Sequence, residues 1–396
     1  MTGAAISAPA ARIHALDSLR GSMMLLGIWI HAACNYVTFP LPVWPYKDSA
    51  TSPLLDLPLM FIHVFRMPIF FVMAGFFARM LWERIGTPAF VKHRATRILL
   101  PFLVCWPLLF FTTRAGFIYA NTLPSPDAWS ETWAILRAGE YPITTAHLWF
   151  LYYLMYFYAA MFAWRLFSDK GRQRIDAGFR RLLQSPWRPL IFAIPTSISF
   201  YPMRSGGLDT EAGFLVHPKI LFAYGIFFAF GFLLHRQADL LTGFCRNAWK
   251  LVVGAILLFP VQAAFQFRVV TGLPDYQPGP HLGAIITGAV IVWLLVFGLT
   301  GLFVRYLNGS RAWVRYLADA SYWIYLMHLP LMIWIPAALS QMPLPALVKF
   351  ALVIVISVPI LLLSYHYLVR YTLIGRILNG PRARTVRSAT VRAAPV

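Results

Sequence analysis

LDSLRGSMMLLGIWIHAACNYV, residues Leu16–Val37, is the stretch on which the reading of this chain turns. It is long and apolar enough to cross a bilayer as one helix, since about 20 residues span the hydrocarbon layer. Yet Arg20 and His31 lie inside it, and strongly polar side chains in such a helix usually face a cavity, a partner or a substrate. Their spacing is close to three helical turns, so both project from one face, roughly 16 Å apart along the axis. Asp17 and Asn35 extend the polar stripe at either end, while Met23, Leu25, Leu26, Ile28 and Trp29 are apolar.

The whole composition agrees with a membrane setting. Hydrophobic residues make up 59% of 396 positions and charged residues only 12%, too few charges to cover a soluble globule, so the outer surface must face lipid. Apolar runs at 16–37, 55–78, 98–120, 147–166, 189–203, 217–235, 250–268, 282–304, 318–339 and 346–369 predict an all-α, polytopic bundle of about ten transmembrane helices. The run 189–203 is short and carries Pro195 and Pro202, which leaves open whether it crosses fully.

A net charge of +20 would suggest nucleic acid in a soluble protein. Here the cations are segregated. Lys47, Arg114, Arg137 and Arg204 are scattered among acids in alternate gaps between runs. The intervening gaps are filled with cations, among them Arg79, Arg84, Lys92, Arg94 and Arg97, then Arg165, Lys170, Arg172, Arg174, Arg180, Arg181 and Arg188. The positive-inside rule then places both termini in the cytoplasm and excludes a nucleic-acid partner. Residues 1–13 lack the apolar core of a signal peptide and read as a short cytoplasmic N-terminus. Residues 14–372 read as one transmembrane domain. Residues 373–396, basic and without apolar periodicity, are expected to be a disordered cytoplasmic tail on an anionic leaflet. Cys34, Cys105 and Cys245 show no metal-ligand spacing and read as small apolar side chains; no metal is expected.

Other polar groups fall inside the runs. His63 and Arg66 adjoin on one face of the second, three residues apart. Arg66 either pairs with Asp56 or a backbone carbonyl and only holds helices together, or lines a path. Pro68 follows and would bend this helix, and Gly75 would let another helix approach closely. Ser321, Tyr325 and His328 share one face of the ninth run. His147-Leu148-Trp149-Phe150 opens the fourth, where Trp149 fits an interfacial aromatic belt as well as a site. Arg94-Ala95-Thr96-Arg97 places two arginines on the same side of a helix start; a guanidinium pair binds phosphate in a fork, though inner-surface arginines need no ligand. No phosphate-binding loop, dinucleotide fingerprint, zinc motif or nucleophile elbow occurs. Carboxylates within the runs are confined to Asp17, Asp56 and Asp319, which argues against a proton-coupled carrier and against a glycosidase pair.

Leu16-Asp17-Ser18-Leu19-Arg20 followed by His31 resembles the signature of the acyltransferase family 3 membrane proteins, and Arg94-Ala95-Thr96-Arg97 is similar to that family's second arginine motif. The stretches His63–Pro68, His147–Leu151 and Ala320–His328 narrow the resemblance to the branch that succinylates periplasmic glucans. The likeness runs from about residue 12 to 370 with the motifs in the family's order. It implies a ten-span bundle in the bacterial inner membrane that transfers an acyl group, succinyl or acetyl, from cytoplasmic acyl-CoA to a hydroxyl of an extracytoplasmic glycan. It also implies that Arg20 and His31 are essential, with His31 the catalytic group, and that no cofactor is bound besides the acyl-CoA donor.

The residues suit that chemistry. A buried neutral imidazole at His31 is a general base for the acceptor hydroxyl. Arg20, three turns away, is placed to hold a CoA phosphate together with Arg94 and Arg97. The acceptor would enter past His63, Arg66 and His147, with Asp17, Asn35, Trp149 and Tyr325 as further substrate contacts. His328 and Ser321 would polarise the thioester carbonyl or orient His31. Direct attack and an acyl-histidine intermediate both stay open, as does the choice between a single chain and a homodimer. The rival reading is a transporter or flippase, in which the same stripe lines a permeation path; the paired broken helices of such carriers are not found.

Overall fold

The computed structural model describes residues 14–139, 141–272, 277–309 and 312–380. The short N-terminus at 1–13 and the tail beyond 380 lie outside the described residues. The described residues are mainly helical: α1 (His14–Ala33), α2 (Asp56–Ile85), α3 (Thr87–Arg94), α4 (Leu100–Thr122), α5 (Ala128–Ala138), α6 (Trp149–Met161), α7 (Asp169–Gln184) and α8 (Arg188–Phe200) form the first half. Then follow α9 (Pro218–Leu234), α10 (Leu241–Phe244), α11 (Ala248–Thr271), α12 (Pro278–Tyr306), α13 (Ala312–Leu339), α14 (Ala346–Ser364) and α15 (Leu373–Asn379). Among the described residues the only pairing of strand type is a single bridge between Thr144 and Gly213.

Each expected apolar run forms a helix, and six helical stretches are long and apolar enough to cross a membrane: Pro53–Ile85, Thr87–Thr122, Pro218–Thr271, Pro278–Tyr306, Ala312–Leu339 and Ala346–Val369. The count falls short of ten for physical reasons. The run Pro218–Thr271 contains both α9 and α11, joined through a kink at Gln237. At 1.5 Å per residue, α8 is about 20 Å long, less than a bilayer's hydrocarbon thickness. The outward faces suit lipid: Val104 and Leu108 of α4 are each 66% exposed.

Three departures from expectation concern local structure. α2 continues through Pro68 to Ile85 without a break. The segment expected as a helix start at Arg94–Arg97 is instead a π-helical turn, Ala95–Leu99, inside a helical run that begins at Thr87. And the tail is ordered further than expected, because α15 forms and buries Gly375 and Leu378.

α1 is the central helix and packs against α2, α12, α13 and α14. Leu16, Leu19, Ala32 and Ala33 along it are fully buried. α2 and α9 meet at a reciprocal glycine contact. A Cβ at Gly75 would overlap the Phe228 carbonyl, and one at Gly231 would overlap the Val72 carbonyl. Glycine is required at both positions for backbones this close, and the close approach expected at Gly75 is thus made by α9.

Candidate functional site

Between α1, α2, α4 and α13 lies a cavity of about 660 Å³ whose walls carry His31, His63, Arg66, Arg114, His147, Trp149, Tyr325 and His328. Its mouth is made by three loops, represented by Pro42–Pro45, Pro142–Thr144 and Thr210–Gly213. The second and third loops are tied together where Thr145 N and Oγ1 donate to the Ala212 carbonyl at 2.6 and 2.7 Å.

Two histidines from helices far apart in sequence meet at its centre. His31 Nδ1 lies 2.8 Å from His328 Nε2, and the rings stack with centroids 4.9 Å apart. The direction of this bond follows from the other side of His328. Its Nδ1 is 2.8 Å from the Tyr325 carbonyl and 3.1 Å from the Ile324 carbonyl. A carbonyl only accepts, so Nδ1 of His328 carries a proton and, in the neutral ring, Nε2 is the acceptor. His31 therefore donates from Nδ1. Its Nε2 is left as a lone pair with no protein donor among the described residues, in a ring that lines the cavity. A general base needs that arrangement: a free nitrogen, with the ring oriented through the other.

His147 and Tyr325 brace the pair. His147 Nε2 donates to the Leu326 carbonyl at 3.0 Å, and its ring meets His328 edge-on at 5.2 Å. Tyr325 donates its hydroxyl to the His147 carbonyl at 2.7 Å. Trp149 is 6% exposed and packs on Tyr224 and Tyr153, so it belongs to the cavity wall and the belt reading does not hold.

Arg66 reaches across to α1, where a Cβ at Gly27 would lie 2.7 Å from its Nη1. Its Nη2 donates to the Met67 sulfur at 3.4 Å, and it pairs with no carboxylate among the described residues. Asp56, the alternative partner, accepts from Thr38 N at 2.9 Å and from the Thr38 hydroxyl. Arg66 thus stands in the cavity wall, with Asp56 engaged elsewhere. Arg114 adds a second cation, set against the Tyr141 ring at 4.8 Å.

Other expected site residues lie elsewhere. Asn35 is fully buried and faces away from the cavity. Its amide donates to the His31, Ala32 and Met332 carbonyls at 3.1 to 3.2 Å and its oxygen accepts from Trp44 Nε1 at 3.0 Å. Ser321 spends its hydroxyl proton on the Ala318 carbonyl of its own helix at 2.7 Å and does not line the cavity. Arg20 is paired with Asp17 at 3.4 Å, donates to the Ala318 carbonyl at 3.4 Å and sits over Phe77. Arg94 lies over Phe90 and Tyr158, at 5.1 and 4.8 Å. Arg97 is fixed through its carbonyl, which accepts from Tyr322 at 2.6 Å. The cavity stops at Met23, Phe70, Phe150 and Tyr325, short of all three arginines and of Asp17.

Trp44, Asp48, Arg114 and Lys349 were not anticipated as site residues. Lys349 carried a usable signal, since it is a cation at the start of an otherwise apolar helix, the same anomaly that marked Arg66. Trp44 carried none, because its place over His31 depends on a loop.

Comparison with known proteins bears on the chemistry. The sequence pattern of one family, described as an acyltransferase domain, matches residues 13–366. Glucans biosynthesis protein C of Salmonella schwarzengrund is 29% identical over 399 residues, covering 94% of this chain and 96% of the relative. The protein of the same name from Salmonella typhimurium is 29% identical over 411 residues, 97% of this chain and 99% of the relative. That of Salmonella paratyphi B is 30% identical over 390 residues, with 94% and 96% covered. No solved structure matches the chain.

Proposed function

The chain belongs to acyltransferase family 3 as a multi-pass membrane O-acyltransferase, and from that premise we propose that it moves a succinyl group from cytoplasmic acyl-CoA to a hydroxyl of a glucan outside the bacterial inner membrane. The single observation that carries the chemistry is the His31–His328 pair, whose proton order leaves His31 Nε2 free. In the proposed step the glycan hydroxyl gives its proton to that nitrogen as its oxygen attacks the thioester carbonyl. A C–O bond forms, the C–S bond breaks, and the proton passes to the leaving sulfur as CoA thiol. The attack is direct, and His328 acts only to orient His31.

Arg66 supports the choice of succinyl over acetyl. An unpaired guanidinium in a membrane cavity is costly, and a free carboxylate on the acyl group would be its natural counter-ion. The relatives' name supports a glucan as acceptor. Positive-inside segregation supports ten spans with both termini cytoplasmic, which puts Arg20, Arg94 and Arg97 on the donor side for the CoA phosphates and the loop-lined mouth on the acceptor side. α1 and the shorter α6 and α8 would complete the ten, the latter two as tilted or partly inserted helices.

The test supplies membranes containing the protein with radiolabelled succinyl-CoA or acetyl-CoA and a cell-envelope glucan fraction. Label is expected in the glucan from succinyl-CoA and is lost in His31→Ala protein that still inserts. Full activity in that variant would remove His31 from the mechanism. Glycan mass spectra identical with and without the protein would remove glucan as the acceptor.

A further inference from the structure

Residues 34–52, between α1 and the turn at Pro53, cover the His31 side of the cavity. The Trp44 indole stacks on the His31 ring at a centroid distance of 5.7 Å and 12° between planes. Its other edge meets Phe117 of α4 at 5.0 Å, and its Nε1 is held by Asn35 at 3.0 Å. Asn121 of α4 donates to the Pro45 carbonyl at 3.0 Å.

Four residues after Trp44 the loop is fixed by a buried charge pair. Lys349 Nζ lies 2.9 and 3.1 Å from the two Asp48 oxygens and 3.0 Å from the Ser340 carbonyl, with the two side chains 1% and 0% exposed. Asp48 Oδ1 also accepts from Ala50 N at 2.8 Å, and Asp48 N donates to the Asn35 carbonyl at 2.9 Å. All three ammonium protons are used within the protein, so the pair is no ligand site. A buried ion pair is also a poor adhesive, since well-packed apolar side chains usually stabilise as much or more. Its best-attested use is to fix one geometry.

We propose that the Asp48–Lys349 pair is a latch that positions Trp44 as a roof over His31 and so keeps water from the base. The need follows from the chemistry. A histidine that activates a sugar hydroxyl also activates water, which would attack the same carbonyl, break the C–S bond and release the free acid and CoA thiol. Transfer then depends on keeping bulk water out while the acceptor is seated. Trp44 and the latch residues are positioning residues, since none of them touches reacting atoms. This proposal rests on the acyl-transfer reading given above.

The experiment uses the full-length protein in detergent micelles, as wild type, Trp44→Ala, Lys349→Met and the double variant Asp48→Asn/Lys349→Met. Two readouts are taken: the ratio of succinyl-CoA hydrolysis to transfer, and the rate at which diethyl pyrocarbonate labels His31, measured by peptide mass spectrometry against the half-buried His217. Trp44→Ala should raise both, with its transfer kcat falling by up to about 100-fold, as expected for a mispositioned group. Lys349→Met leaves Asp48 as an orphan charge and is expected to lower thermal stability. The double variant leaves no orphan, so it should recover stability while keeping the raised hydrolysis ratio and His31 labelling. Wild-type values for ratio and labelling in both Trp44→Ala and the double variant would overturn the proposal. A wild-type protein that neither transfers nor hydrolyses succinyl-CoA would instead sink the succinyl-transfer reading, and the labelling rates would still decide whether the latch shields His31.

Discussion

The two facing imidazoles are chemically equivalent until their outer nitrogens are considered, so truncating each in turn tests the assignment of roles. His328→Ala removes the acceptor for His31 Nδ1–H, a bond of 2.8 Å, and leaves the base in place. Stranding one buried donor costs about 1–3 kcal/mol. At about 1.4 kcal/mol per factor of ten in rate, kcat should fall roughly 10- to 100-fold. His31→Ala removes the base itself, for which the loss is on the order of 10²- to 10⁴-fold. The double variant should be no slower than His31→Ala alone, because an orienting group has nothing left to orient. His328→Gln, whose amide oxygen can accept the same proton, should retain more activity than His328→Ala. Initial rates of label transfer to glycan, normalised to folded protein in micelles, measure all four. An inactive His328→Ala beside an active His31→Ala would reverse the assignment and refute the proton order inferred from the Ile324 and Tyr325 carbonyls.

Three other substitutions probe the frame around the pair. Gly27→Ala should push the Arg66 guanidinium aside and raise KM for succinyl-CoA while leaving acetyl-CoA kinetics unchanged, because the new Cβ falls 2.7 Å from Nη1; equal effects on both donors would uncouple Arg66 from the acyl carboxylate. Asn35→Ala strands the buried Trp44 Nε1 and should destabilise the protein by about 1–3 kcal/mol, read as a lower melting temperature in detergent. Gly75→Val drives a side chain into the α9 backbone at Phe228 and should abolish accumulation of folded protein in membranes, measured by blotting; normal abundance would mean that α2 and α9 separate at little cost.

The all-helical membrane architecture was legible because lipid enforces it: long apolar runs and segregated arginines are requirements of the bilayer, visible one segment at a time. The pairing of α1 with α13 was not visible in that way. His31 and His328 each stood out as intramembrane polar groups, but their bond depends on how two helices nearly 300 residues apart in the chain are rotated. The same limit explains Asn35 and Ser321. Helical spacing put them on the right stripe, and packing then turned Asn35 toward Trp44 and Ser321 toward its own backbone. Trp149 was ambiguous for another reason, since its aromatic character fitted two environments and only burial in the cavity wall distinguished them. Lys349 was missed although its anomaly of charge was plain, because it lies at the end of a run, where a lysine normally reaches the interface.

The protonated Nδ1 of His328, tied to two carbonyls of its own helix, also closes one route. A proton received at His31 Nε2 cannot be relayed onward through the pair, because the far end of the relay is already filled and has only backbone to donate to. It must leave by the nitrogen at which it arrived. In the proposed reaction that sends the proton from sugar hydroxyl to CoA sulfur within one cavity, through the single nitrogen Nε2 of His31. Such an enzyme takes the driving force of its chemical step from the thioester, and its base must be emptied by the departing CoA sulfur before the next acceptor is deprotonated.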